Sequence, residues 1–133
     1  MRLMRFPLLP DSIRWLGVIV IAGVLVYFSL LTTVSAPPEP GPLWDKKLHF
    51  AGYAALGLSL LYATAASEED PTRRALLSVG AAVAFGVLIE LLQGPLPYRY
   101  FSYSDMLANA LGALLATGWI LVESRLEYVP FPS

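Results

Sequence analysis

An all-α membrane protein, built as a bundle of four transmembrane helices in one domain over residues 1–133, is predicted by three observations. The chain is 56% hydrophobic and 14% charged over 133 residues, with a mean hydropathy of +0.61, far too apolar for an ordinary soluble domain. Four apolar runs stand out, at about 13–34, 48–66, 75–92 and 105–122, and each reaches the ~17–25 residues that a spanning helix needs. Between them lie SAPPEPGPLWDKK, SEEDPTRR and QGPLPYRYFSYSD, whose prolines and charges stop a helix in lipid or just outside it.

The first run follows Arg2, Arg5 and Arg14 and ends in Val34-Ser35-Ala36, a small-residue pattern of the kind signal peptidase cuts after. A spanning helix is the expectation here, because the apolar stretch exceeds the ~7–15 residues of a signal core and Pro37 would follow the cut. Pro37 to Pro42 reads as an extended external linker. The second run is entered through Trp44-Asp45-Lys46-Lys47-Leu48-His49. The third is preceded by Arg73 and Arg74, and the fourth opens at Asp105. Lys and Arg favour cytoplasmic segments. They collect in the N-terminal tail, the second loop and, as Arg125, the C-terminal tail, against Lys46, Lys47 and Arg99 in the other two loops. A multi-pass protein of the cell membrane with both termini cytoplasmic is therefore expected.

Composition also excludes. With no cysteine, disulfides, zinc-thiolate sites and cysteine nucleophiles are ruled out. A net charge of −1 without a basic tract makes nucleic acid a poor partner. Asp45, His49, Glu90 and Asp105 could together ligate a divalent metal, but their spacing matches no strong motif, so neither metal nor cofactor is expected.

The polar residues inside the apolar runs follow helical spacing. Asp45, His49 and Tyr53 are four apart and stack on one face. Ala82, Gly86, Glu90 and Gln93 share a face of the third run, and Asp105, Asn109, Gly112 and Ala116 one of the fourth. Small residues let helix backbones approach in lipid, where packing drives association, so the three polar faces should converge. Ionisable side chains at mid-helix cost about 2.5–3.5 kcal/mol on insertion scales and usually face the bundle interior in pairs. Glu90 is the clearest case, and Arg99, with its planar fork, is its expected partner ahead of Lys46. Plainer roles exist for each residue: helix capping for Asp45 and Asp105, snorkelling for Lys46 and Lys47, an aromatic belt for Trp44 and Trp119, and interhelical hydrogen bonding for Asn109.

The segments DKKLHFAGYAALG, ELLQ, an arginine and SDMLANALGALL together resemble the VanZ-like family of small membrane proteins, named for an accessory protein associated with resistance to the glycopeptide teicoplanin. The resemblance covers Asp45 to Ala116 and rests on Asp45, Lys46, His49, Phe50, Tyr53, Glu90, Gln93, Arg99, Asp105, Asn109 and Gly112. Ala116 stands where a second glycine is expected, and Tyr98 where glycine commonly precedes the arginine; neither change removes a polar group. The resemblance implies an integral membrane protein linked to the cell envelope and supplies no reaction.

Three functions follow. The candidate cluster Asp45, Lys46, His49, Tyr53, Glu90, Gln93, Arg99, Asp105 and Asn109 could bind a membrane lipid, a lipid-linked cell-wall precursor or a glycopeptide, with Arg99 and Lys46 recognising phosphate or carboxylate. It could belong to an enzyme acting on a lipid-linked substrate, with Glu90 or His49 as general base and Asp105 as partner, although no persuasive nucleophile is present. It could instead be structural, its charges neutralising one another to fix the bundle.

Overall fold

The computed structural model describes residues 3–32, 38–39, 41, 43–96 and 102–131. In chain order these form β1 (Met4–Leu8), α1 (Asp11–Val26) continued by a π-helical turn (Tyr27–Leu31), α2 (Trp44–Ala63), α3 (Pro71–Gln93), α4 (Tyr103–Ala116), α5 (Trp119–Glu123) and β2 (Leu126–Pro130). Pro37, Pro40 and Pro42 of the expected linker, and Arg99, lie outside the described residues.

Helix starts are set by polar chemistry rather than by the apolar runs. Asp70 caps α3 by accepting from the Arg73 amide, and Pro71 occupies the first helical position, where its missing N–H costs nothing. The helix thus begins four residues ahead of the apolar stretch. Similarly, Ser102 caps α4 through the Asp105 amide at 3.2 Å. α2 begins at Trp44, so Asp45, Lys46 and His49 lie on its first two turns. The fourth predicted helix is interrupted by a turn at Thr117–Gly118 and resumes as α5.

Burial is inverted relative to a soluble protein. Leu16, Ile19, Val20, Leu76, Leu88 and Leu115 are exposed, whereas Arg14, Arg74, Ser78, Glu90, Gln93 and Asn109 are buried. That distribution is stable only where hydrocarbon is the solvent and polar groups must pair inside the bundle. Three helical stretches, 11–31, 71–93 and 103–123, are long and apolar enough to cross a membrane. The 20-residue α2, with its polar first turns, falls outside that set.

Small residues decide how closely the helices approach. A Cβ at Gly112 of α4 would collide with the Phe50 carbonyl oxygen and stand 3.0 Å from the Ala54 nitrogen of α2, and one at Gly57 would stand 2.8 Å from the Ala116 Cβ. Backbone therefore packs on backbone along this seam. Tyr53, Leu56, Ala82 and Ala113 form the buried core beside it.

One element departs from the all-α expectation. β1 and β2 pair in parallel, with Met4 opposite Leu126 and Leu8 opposite Pro130. Each supplies the hydrogen-bond partners that the other lacks, and Phe6 packs edge-on against Trp119 and Tyr128. The pairing brings both terminal segments to one end of the helices.

A candidate polar site at the head of the second helix

The cluster starts from the first turns of α2. Lys46 Nζ lies 2.7 Å from Asp45 Oδ2 and 2.5 Å from Asp105 Oδ1, tying α2 to α4. Asp105 is free for this because Ser102 does the capping; the capping role open to Asp105 from sequence is displaced. One turn on, His49 Nδ1 stands 3.0 Å from Asn109 Oδ1, and its Nε2 stands 3.4 Å from Asp105 Oδ2. With the amide oxygen turned to the ring, Nδ1 is the donor in this pair, and Nε2 faces the carboxylate as the second ring position.

α3 contributes Glu90, which is fully buried. Its Oε2 accepts the Ser102 amide at 3.1 Å, so one carboxylate joins α3 to the start of α4. Among the described residues its Oε1 has no hydrogen-bond partner, and neither does the Tyr53 hydroxyl nor Asn109 Nδ2. The three groups are neighbours: a Cβ on Gly86, one turn before Glu90, would stand 3.0 Å from the Tyr53 ring and 3.1 Å from Asn109 Nδ2. One ligand atom from each of His49, Glu90 and Asp105 lies within 4.8 Å of the others.

Gln93 stands apart from that knot. Its Nε2 donates to the Ser29 carbonyl at 2.9 Å, satisfying one of the last carbonyls of the π-helical turn. Between this contact and the cluster a cavity of about 440 Å³ opens, walled by Val24, Leu25 and Phe28 on one side and by His49 and Tyr53 on the other. Its lining is mostly apolar.

The structure thus brings together Asp45, Lys46, His49, Glu90, Asp105 and Asn109, sets Tyr53 beneath them and places Gln93 across the cavity. Lys46 meets Asp45 and Asp105, two carboxylates that occupy its ammonium, while Arg99, the partner expected for Glu90 ahead of Lys46, lies outside the described residues.

A second polar knot lies at the opposite end of α2, which sequence reading missed. Arg74 reaches Glu123 through both terminal nitrogens, at 2.7 and 3.2 Å, and donates to the Leu61 carbonyl at 2.6 Å. Arg14 donates to the Leu9 carbonyl at 2.9 Å and the Tyr62 carbonyl at 3.2 Å, and also to Ala63. Two buried guanidiniums from neighbouring helices therefore cap the C-terminal carbonyls of α2, where positive charge opposes the helix dipole. Tyr128 donates to Glu123 at 2.9 Å and accepts from Trp119 Nε1 at 3.0 Å. Burial, helped by the bond to Glu123, pushes its phenol up to about 12. In the sequence, Arg14 and Arg74 counted only as topology signals, because their partners are backbone carbonyls that no side-chain pattern marks.

No solved structure matches the chain. "Uncharacterized protein C11E3.10" of Schizosaccharomyces pombe is 35% identical over 98 residues, which is 70% of this chain and 59% of that relative's length. The VanZ/LLP1 family profile matches residues 13–123, taking in the first helix as well as the polar cluster. On that match, extending beyond the motif-bearing segment on both sides, the chain belongs to the VanZ/LLP1 family.

Proposed function

We propose that the chain is a four-pass membrane protein that binds a membrane amphiphile, its oxygen-bearing head at the Tyr53–Asn109–Glu90 corner and its hydrocarbon in the cavity beside α1. The carrying observation is a trio of buried polar atoms without partners among the described residues, one of whose residues, Tyr53, lines a largely apolar cavity. Buried polar groups are nearly always satisfied, and leaving one unmade costs about 1–3 kcal/mol. Tyr53 and Asn109 offer two donors, which suit the oxygens of a lipid-linked headgroup. A cavity of this size takes part of one chain, comparable to small-molecule sites of roughly 300–1,000 Å³.

Four crossings are supported by the ends of the molecule. Three spans alone would leave the termini on opposite sides, yet β1 pairs with β2. Moreover, α2 runs from the Asp105 contact to the Arg14 and Arg74 contacts, and its 20 residues extend about 30 Å at ~1.5 Å each, the depth of the hydrocarbon layer. Arg5, Arg73 and Arg125 then gather on the side of the termini, which by charge bias is cytoplasmic. The cluster faces the extracytoplasmic side.

Lipid retention tests the binding role. Protein purified in mild detergent should carry one lipid class enriched over the bulk membrane extract, measured by mass spectrometry of the extracted lipids. Leu25→Trp, which fills the cavity, and Tyr53→Phe, which removes a donor, should each deplete it. Bulk-like lipid on the wild type would defeat the proposal. The rival enzymatic reading draws on the His49–Asp105 approach; it requires the retained lipid to change mass on incubation.

A further inference from the structure

We propose that His49, Glu90 and Asp105 form a binding site for a divalent transition-metal cation of the Zn²⁺ or Mn²⁺ type. Three observations meet there. One ligand atom of each residue lies within 4.8 Å of the others. Tetrahedral coordination at about 2.1 Å sets ligand atoms ~3.4 Å apart, and His49 Nε2 already lies 3.4 Å from Asp105 Oδ2. Only Glu90 has to swing inward.

The second observation is the free oxygen. Glu90 is wholly buried, and while Oε2 takes the Ser102 amide, Oε1 has no partner among the described residues. A buried carboxylate oxygen without a donor is expensive, and a cation relieves it.

The third is the orientation of the imidazole. Its Nδ1 stands 3.0 Å from Asn109 Oδ1, and with the proton on Nδ1 the Nε2 lone pair is turned toward Asp105. An outer carbonyl holding the far ring nitrogen is the usual support of a metal-binding histidine. A lone pair aimed at a carboxylate oxygen calls for a positive centre between them, a proton or a metal ion.

Charge agrees. Among the described residues of the cluster, the carboxylates of Asp45, Glu90 and Asp105 face the single ammonium of Lys46, leaving two negative charges that one divalent cation cancels. One nitrogen and two carboxylate ligands suit Zn²⁺ or Mn²⁺ better than a hard Mg²⁺, which prefers an all-oxygen octahedron.

The test uses the full chain in detergent, stripped with a chelator, dialysed and delipidated, so that its outcome does not depend on what the cavity holds. Calorimetric titration with Zn²⁺ and with Mn²⁺ should give one site per chain for at least one of them. His49→Gln, Glu90→Gln and Asp105→Asn should each weaken it by at least the ~10–100-fold that loss of an outer-shell partner costs. Circular dichroism of each stripped variant checks its fold. Should Asp105→Asn unfold because Lys46 loses its partner, His49→Gln and Glu90→Gln decide the matter alone. No stoichiometric binding of either ion by the wild type, or wild-type affinity in Glu90→Gln or His49→Gln, overturns the site.

Discussion

The two ends of α2 carry similar numbers of charged groups and treat them in opposite ways. At the C-terminal end, Arg14 and Arg74 spend their donors on Leu61, Tyr62, Ala63 and Glu123, and no buried side-chain atom there lacks a partner among the described residues. At the N-terminal end, Tyr53, Glu90 and Asn109 each keep an atom without a partner among the described residues. A saturated network rigidifies, whereas a partly satisfied one leaves costly unpaired groups. On the proposed function, the difference separates the part of the molecule that holds the bundle together from the part that binds.

The broadest way to break the comparison is topological, and its expected result is all or none. The native chain has no cysteine, so a single cysteine at Glu39 should react with an impermeant thiol reagent added to intact cells, and one at Glu69 should not. Labelling at position 69 alone would turn the molecule over and put the open cluster inside.

Stability gives the next largest contrast. Arg74→Met strands the Glu123 carboxylate and the Leu61 carbonyl, and removing one partner of a buried pair costs about 3–5 kcal/mol. Glu90→Gln keeps an acceptor for the Ser102 amide and should change stability by less than ~1 kcal/mol. Unfolding in detergent followed by circular dichroism measures both; equal losses would erase the distinction between the ends.

Glycines sharpen it further. Gly112→Ala drives a methyl into the Phe50 carbonyl and the Ala54 amide of α2, which are backbone and cannot swing aside, so overpacking of about 1–3 kcal/mol should outweigh the ~1 kcal/mol gained in helix propensity. Gly86→Ala meets only the Tyr53 ring and the Asn109 amide, both side chains. Its melting temperature should stay near wild type while lipid retention falls.

Much of this was legible in the sequence, and the omissions have physical reasons. The buried faces Ala82–Gly86–Glu90–Gln93 and Asn109–Gly112–Ala116 follow from helical spacing, because a polar group in hydrocarbon must turn inward. The early start of α3 was written in Asp70-Pro71, but apolar runs locate lipid-facing residues and not caps. The strands were hidden because each is completed only by a partner about 120 residues away, a distance at which sequence pattern carries no register. That Lys46 meets Asp105 was not legible for a similar reason: which carboxylate it reaches depends on how α4 lies along α2.

The smallest effect lies at the closed end and concerns pH. Tyr128 is held neutral with its phenol pushed from 10.0 up to about 12. A group whose folded value is raised contributes its full stability below the unfolded value and loses it as pH rises through the folded one. Stability should therefore fall between about pH 10 and 12, and Tyr128→Phe should flatten that limb. Alkaline melts of the two proteins give the comparison.

The parallel pairing of β1 with β2 also sets an order of events during synthesis. Met4–Leu8 leaves the ribosome early but cannot be matched until Leu126–Pro130 appears, several seconds later at roughly 5–20 residues per second. Throughout that interval the first strand presents an open edge, so the nascent chain is vulnerable to proteolysis and mispairing. The strand pair works as a latch that closes last, and a chain stopped short of Leu126 would be marked for degradation by the edge it leaves exposed.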